Sequence, residues 1–246
     1  MKKIVMKKIV GSLLLILSGA LAVSGQTDAR RVGAGEASAR DARSAASPST
    51  PFALEKGMNE FGVWGGGSFD SPTLIGKSEN ARFGLVAFRY ARVLAAGNGM
   101  AFKYTIDAVP LALLSYERSR FVPQTPPNIF HLEQDRQTVY AAGLTPIGFQ
   151  VNFRRRKRVQ PFAATSGGFL YYTQPVPDER STVEPNRRGA HFNFTADFGG
   201  GVQVLTGERR AYTFGYKYHH LSNGYRAPIN PGFDSNLFYF GFSIFR

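Results

Sequence analysis

Ala211-Tyr212-Thr213-Phe214-Gly215-Tyr216-Lys217-Tyr218 places an aromatic ring at every even position and a small or charged residue at every odd one. A period of two is that of a β-strand, whose successive side chains point to opposite faces, so this segment has an aromatic face and a polar one. The pattern recurs in Met100-Ala101-Phe102-Lys103-Tyr104-Thr105-Ile106-Asp107 and in His191-Phe192-Asn193-Phe194-Thr195-Ala196-Asp197-Phe198. Eight stretches carry strand character, at 58–69, 81–94, 99–109, 137–153, 159–174, 190–205, 210–222 and 235–245. The composition agrees: 21 Phe, 11 Tyr and 27 Gly among 246 residues suit many short strands better than helices.

The polar face separates a membrane barrel from a soluble sandwich. A sandwich turns long charged side chains to water, whereas here that face is mostly Gly, Ala, Thr and Asn. Its few charges, Lys103, Asp107, Asp197 and Lys217, come in both signs. Small residues and compensating ions fill the lumen of a narrow barrel, and the aromatic face then meets lipid. The connections alternate as such barrels require. Tight turns stand near Gly97-Asn98-Gly99, Arg154-Arg155-Arg156-Lys157 and Gly207-Glu208, with longer loops after the first, third, fifth and seventh stretches. The fold expected is all-β: an eight-stranded antiparallel transmembrane β-barrel of the outer membrane, long loops outside and both termini in the periplasm.

The N-terminus supplies the route. Lys2, Lys3, Lys7 and Lys8 precede an apolar run from Ile9 to Val23, followed by small residues that offer cleavage after Ala22 or Gly25. Residues 1–25 therefore read as a secretory signal peptide. Residues 26–56 are poor in large apolar side chains and read as a disordered periplasmic leader, and 57–246 as the barrel. Lys and Arg exceed Asp and Glu by 13. For an exported chain that excess excludes nucleic acid as the partner and points to anionic lipid headgroups, with Arg118, Arg120, Arg187, Arg188 and Arg226 as the loop cations available. There is no Cys, which removes disulfides, thiolate metal sites and cysteine nucleophiles.

One group of residues exceeds what a passive barrel needs. His220 and Ser222 lie two apart on the face of Tyr212, Phe214, Tyr216 and Tyr218, and Asp234 shares the parity of Phe238, Phe240, Phe242 and Ile244. A hairpin between the last two strands brings all three to the barrel's outer surface at its outer rim. A serine hydroxyl becomes a useful nucleophile when an imidazole takes its proton and a carboxylate orients that imidazole, which is the chemistry of acyl transfer. Asn223, Gly224 and Asn230 are the neighbours able to donate to an oxyanion. His219 faces the lumen by the same alternation, and His131 and His191 have no Ser or acid beside them.

The arrangement His220-Leu221-Ser222-Asn223 followed by Asn230-Pro231-Gly232-Phe233-Asp234 resembles the PagL-type lipid A 3-O-deacylases, which are eight-stranded outer-membrane barrels. Weaker similarity, including Gly143-Leu144-Thr145-Pro146-Ile147-Gly148-Phe149 and Gly199-Gly200-Gly201, extends over Phe61–Phe245. The resemblance implies Ser222 as nucleophile, His220 as general base and then acid, and Asp234 as the orienting acid, where the family commonly carries Glu. Asn230 and Asn223 match positions associated with the oxyanion site. The implied substrate is lipid A of lipopolysaccharide, at its ester-linked 3-hydroxyacyl chain, and no metal or other cofactor is implied. Two alternatives compete. Outer-membrane phospholipase A also uses a His-x-Ser-Asn strand, but with twelve strands, calcium and an Asn as third member. The other is a non-enzymatic structural barrel.

Overall fold

The computed structural model describes residues 53–124, 129–207 and 209–246. The expected signal peptide, nearly all of the leader and Glu208 of the expected turn lie outside them. Eight strands follow in order: β1 (Asn59–Ser68), β2 (Arg82–Ala96), β3 (Met100–Gln124), β4 (Ile129–Phe153), β5 (Val159–Asp178), β6 (Arg188–Thr206), β7 (Arg210–Ser222) and β8 (Phe233–Phe245). Each pairs antiparallel with the next, and β1 pairs with β8, so the sheet closes into a barrel.

The alternation assigns the two faces as the period of two requires. On β7, Ala211, Thr213, Lys217, His219 and Leu221 are buried inward while Tyr212, Phe214 and Tyr216 are exposed outward. Phe214 is 55% and Phe238 66% exposed, which in water would be a liability and in hydrocarbon is the surface a barrel presents to lipid. Tyr212, Phe214, Phe240 and Phe242 pack ring against ring across β7 and β8.

The lumen is filled by ion pairs. Lys103 Nζ lies 2.7 Å from Glu60 Oε2, Arg89 Nη2 2.7 Å from Asp107 Oδ2, and Lys217 Nζ 3.3 Å from Asp197 Oδ1. Glu60 and Arg89 are the two partners that the alternating pattern had not singled out. Glu60 Oε1 also accepts from Gln203 Nε2 and Ser243 Oγ, at 2.8 and 2.7 Å. His219 is inward as expected, stacked on Phe83 at 4.8 Å. Voids of about 20 and 10 Å³ beside these groups have room for about one water each.

Two features depart from expectation. The connection after β3 is not a long loop: β3 and β4 run on as a two-stranded ribbon beyond the last pairings with β2 at Ser115 and with β5 at Ala141. Its register is held by opposite charges directly across from one another, Glu117 with Arg136, Arg118 with Asp135 and Arg120 with Glu133, a cross-strand pairing that needs no apolar alternation. The second departure is Tyr218, expected against lipid but only 5% exposed.

Lys103 and Glu60 are each buried, so removing one charge strands the other, at a cost of about 3–5 kcal/mol. Lys103→Met is therefore expected to lower the urea midpoint of the micelle-refolded barrel. The double variant Glu60→Met/Lys103→Met should recover most of that loss.

Candidate functional site

β7 and β8 place His220 directly opposite Asp234. Both side chains point outward, and His220 Nδ1 lies 2.6 Å from Asp234 Oδ1. Asp234 is nonetheless 0% exposed. The β1–β2 connection explains this: it folds down over the outer end of β8 as a strap. Lys77 N donates to Pro231 O at 2.8 Å, Ser78 bridges to Phe233, and Ser71 Oγ sits 2.8 Å from Asp234 O. The backbone N–H groups of Ile75 and Gly76 both donate to Asp234 Oδ2, each at 2.8 Å.

The carboxylate thus has one oxygen on the imidazole and the other on two fixed amides. Such bonds hold a short acidic side chain in one orientation and satisfy the charge that burial would otherwise penalise. The approach is close enough to require glycine. A Cβ on Gly76 would lie 2.8 Å from the Gly232 carbonyl and 3.1 Å from Asp234 Oδ1; one on Gly232, whose φ is +71°, would lie 3.0 Å from His220 Cε1. Leu74 and Ile75 on the strap stay exposed.

Ser222 ends β7 on the same outward face as His220. Residues two apart on a strand are about 6.7 Å apart along it, and no hydrogen bond joins Ser222 to His220 among the described residues. β8 pairs no farther than Leu221 with Phe233, so Ser222 has a strand neighbour on one side alone, Phe194 of β6. The other side is open to the loop at 223–232.

That loop separates the three expected oxyanion donors. Asn223 is fully buried and its side chain is spent on the loop itself: Nδ2 donates to Ile229 O at 2.8 Å and Oδ1 accepts from Arg226 N at 3.3 Å. Its backbone N–H donates to Asn230 Oδ1 at 3.0 Å. Gly224 and Tyr225 both have positive φ, +64° and +61°, the two central residues of a type I′ turn closed by Arg226 N to Asn223 O. Gly224 is therefore a turn residue, and Asn223 a brace. Asn230 spends its carbonyl oxygen on Asn223 and keeps its amide nitrogen. The other histidines are elsewhere: His191 Nδ1 lies 2.8 Å from Tyr172 O, and His131 is exposed on the ribbon of β3 and β4.

The residues that the sequence reading missed are those of the strap. Ile75 and Gly76 act through backbone amides, which carry no side-chain signature.

A family model described as lipid A 3-O-deacylase (PagL) matches residues 111–243, more than half of the chain and inclusive of His220, Ser222 and Asp234. No curated protein matches the chain. Among solved structures, that of the outer membrane enzyme PagL is similar at 12% identity, covering 74% of this chain and 97% of its own, with a TM-score of 0.39. The outer membrane protein OprG from Pseudomonas aeruginosa is similar at 7% identity, covering 79% and 98%, with a TM-score of 0.40.

Gly76→Ala is expected to lift the strap from Asp234. The proton on His220 Nδ1, drawn downfield by its short bond to the carboxylate, should then move upfield or broaden in the NMR spectrum, while heat-modifiable gel migration still reports a closed barrel.

Proposed function

The chain belongs to the lipid A 3-O-deacylase (PagL) family, and from this premise we propose that it removes the 3-O-acyl chain of lipid A with Ser222 as nucleophile, His220 as base and Asp234 as orienting acid. The protein is an outer-membrane β-barrel, and membership of this family implies an ester hydrolase with lipid A as its substrate. The observation that carries the assignment of residues is the 2.6 Å contact of His220 Nδ1 with Asp234 Oδ1 on the outward face, beside a serine of the same strand face.

With Nδ1 committed to Asp234, Nε2 is the nitrogen left to take a proton. Ser222 Oγ attacks the ester carbonyl as its proton passes to Nε2, and the imidazolium that forms is stabilised by the buried carboxylate. The negative charge on the carbonyl oxygen is met by Asn230 Nδ2, whose partner oxygen is already fixed by the Asn223 amide. His220 then returns the proton to the departing sugar oxygen. A water, activated by the same nitrogen, releases the 3-hydroxy fatty acid from Ser222. Rotation of Ser222 and His220 toward each other closes their hydrogen bond when the ester seats, as catalytic contacts commonly tighten on substrate binding.

Asp in place of the family's usual Glu is one methylene shorter. β7–β8 register compensates by setting His220 and Asp234 directly opposite one another, and the strap holds the carboxylate from behind. The outward placement suits a substrate whose acyl chains lie in the outer leaflet, because the ester is reached from lipid without entering the lumen.

The test is mass spectrometry of lipid A from Gram-negative cells expressing the wild-type chain or Ser222→Ala. Loss of one 3-hydroxyacyl group is expected with wild type alone, with both proteins heat-modifiable; unchanged lipid A in the presence of folded wild type and a 3-O-acylated substrate overturns the assignment. Asp234→Asn should lower turnover by a factor on the order of 10⁴, as expected where a carboxylate sets the imidazole tautomer, with KM little changed.

A further inference from the structure

Five loop arginines were open as contacts for an anionic headgroup, and the structure divides them. Arg118 is paired with Asp135, Arg120 with Glu133 and Asp135, and Arg187 with Glu179 and Glu184. Their charge is answered within the protein. Arg188 and Arg226 have no carboxylate partner among the described residues, and they stand together: Arg188 O accepts from Ile229 N of the loop that carries Arg226.

Arg226 is the better placed of the two. Its guanidinium lies 5.7 Å from the ring centroid of Phe192 and 6.0 Å from that of Phe194, and Phe194 is the residue paired across from Ser222. Those rings are themselves locked, Phe192 edge-on to Phe194 at 5.1 Å and stacked on Phe169 at 5.2 Å. The backbone of Arg226 is fixed as well, with its N–H on Asn223. A guanidinium over aromatic faces is oriented without being neutralised. Its N–H groups keep their capacity for an oxyanion, and a phosphate is one of the two anions that fork matches bidentately.

The level is also decisive. β6 runs inward from Arg188, so Phe192 lies two residues farther out than Phe194, and Arg226 sits at the height of Ser222 and just beyond it. An ester bond held at Ser222 puts the sugar that bears it at that same height, outside the hydrocarbon. In lipid A this sugar carries a phosphate on its anomeric carbon, one ring carbon removed from the esterified position.

We propose that Arg226 forms a phosphate site for the substrate's own sugar phosphate, which orients the sugar so that the 3-O ester faces Ser222. This rests on the deacylase reading and goes beyond it by naming what holds the polar end of the lipid. Arg188 adds positive potential to the same side. A phosphate of a neighbouring lipid offers the same chemistry, and the experiment separates the two sources.

The experiment compares lipid A carrying both phosphates with the same lipid A after removal of the phosphate on the esterified sugar, in neutral detergent micelles, reading release of the 3-hydroxy acid by mass spectrometry. For wild type, kcat/KM is expected to be roughly tenfold higher with the phosphorylated form, about the strength of one charge-assisted hydrogen bond, and carried by KM. In Arg226→Gln that ratio should fall to about one. Arg226→Met, which keeps an apolar stem over the rings and removes the charge, should do the same and guards against a local packing defect. Arg226→Lys should retain part of the ratio. A wild-type ratio of one, or the full ratio in both uncharged variants, overturns the phosphate site while leaving the deacylase intact. An Arg226-dependent rise in activity on both substrates when anionic phospholipid is added, with a ratio of one between them, assigns Arg226 to a neighbouring lipid and overturns it too. If folded wild type cleaves neither lipid A, the deacylase reading fails and the site falls with it.

Discussion

The pairing of β1 with β8, from Glu60 opposite Phe245 to Gly67 opposite Phe238, is the contact on which the other parts depend. A sheet in hydrocarbon cannot leave an edge of unpaired amides and carbonyls, because no water is there to satisfy them. Closure removes the edge, and with it comes a fixed division into an inner and an outer face. Every side chain then inherits its surroundings from its parity on the strand. Lys217 and His219 are turned into the lumen and Tyr216 to lipid by that rule alone, and His220 arrives on the outside because it is one residue beyond His219.

Closure also obliges the lumen to be filled. Three ion pairs and the amides of Gln150, Asn152, Gln160 and Gln203 occupy it, linked in pairs and chains. Buried ions of this kind gain little net stability, since desolvation offsets most of their attraction, but they fill the space between the strands, and the voids beside them are of only about 20 and 10 Å³. The proposed chemistry is therefore outside, on a surface whose neighbours are lipid chains. The structural ions and the proposed reactive groups occupy opposite faces of the same strands, so Lys217 and His219 can be tuned for packing while His220 and Ser222 are left free for the chemistry proposed for them.

What was legible in the sequence follows from where the signal resides. Strand positions are recorded in alternation, and six of the eight expected segments match those observed to within four residues at either end. The meeting of His220 with Asp234 was legible too, because parity plus a hairpin suffices to place them. Alternation fails as a guide where something else holds the strands: β3 and β4 extend as a ribbon on charge pairs such as Arg118 with Asp135, which in a sequence look like solvated loop. It fails again at the strap. Residues 69–78 have no period, and the groups that matter are main-chain N–H donors, identical in every residue but Pro. Tyr218 was misplaced for the same reason, since Ile75 of the strap lies beside its hydroxyl. The bonds of Asn223 to Ile229 and Arg226 were not legible, because a sequence does not say which of an amide's partners it has already found.

The strap has one more implication. It belongs to the first hairpin of the barrel, whereas the carboxylate it grips is on the last strand, more than 150 residues later in the chain. Neither local folding nor any partial sheet brings Ile75 and Gly76 to Asp234; only the zipping of first strand to last does so. The anchoring of Asp234 is thereby made an indicator of finished assembly. A chain whose first and last strands are not yet joined carries Ser222 and His220 but lacks an anchored acid. On the proposed triad such a chain is a latent esterase, armed by the same event that closes the barrel.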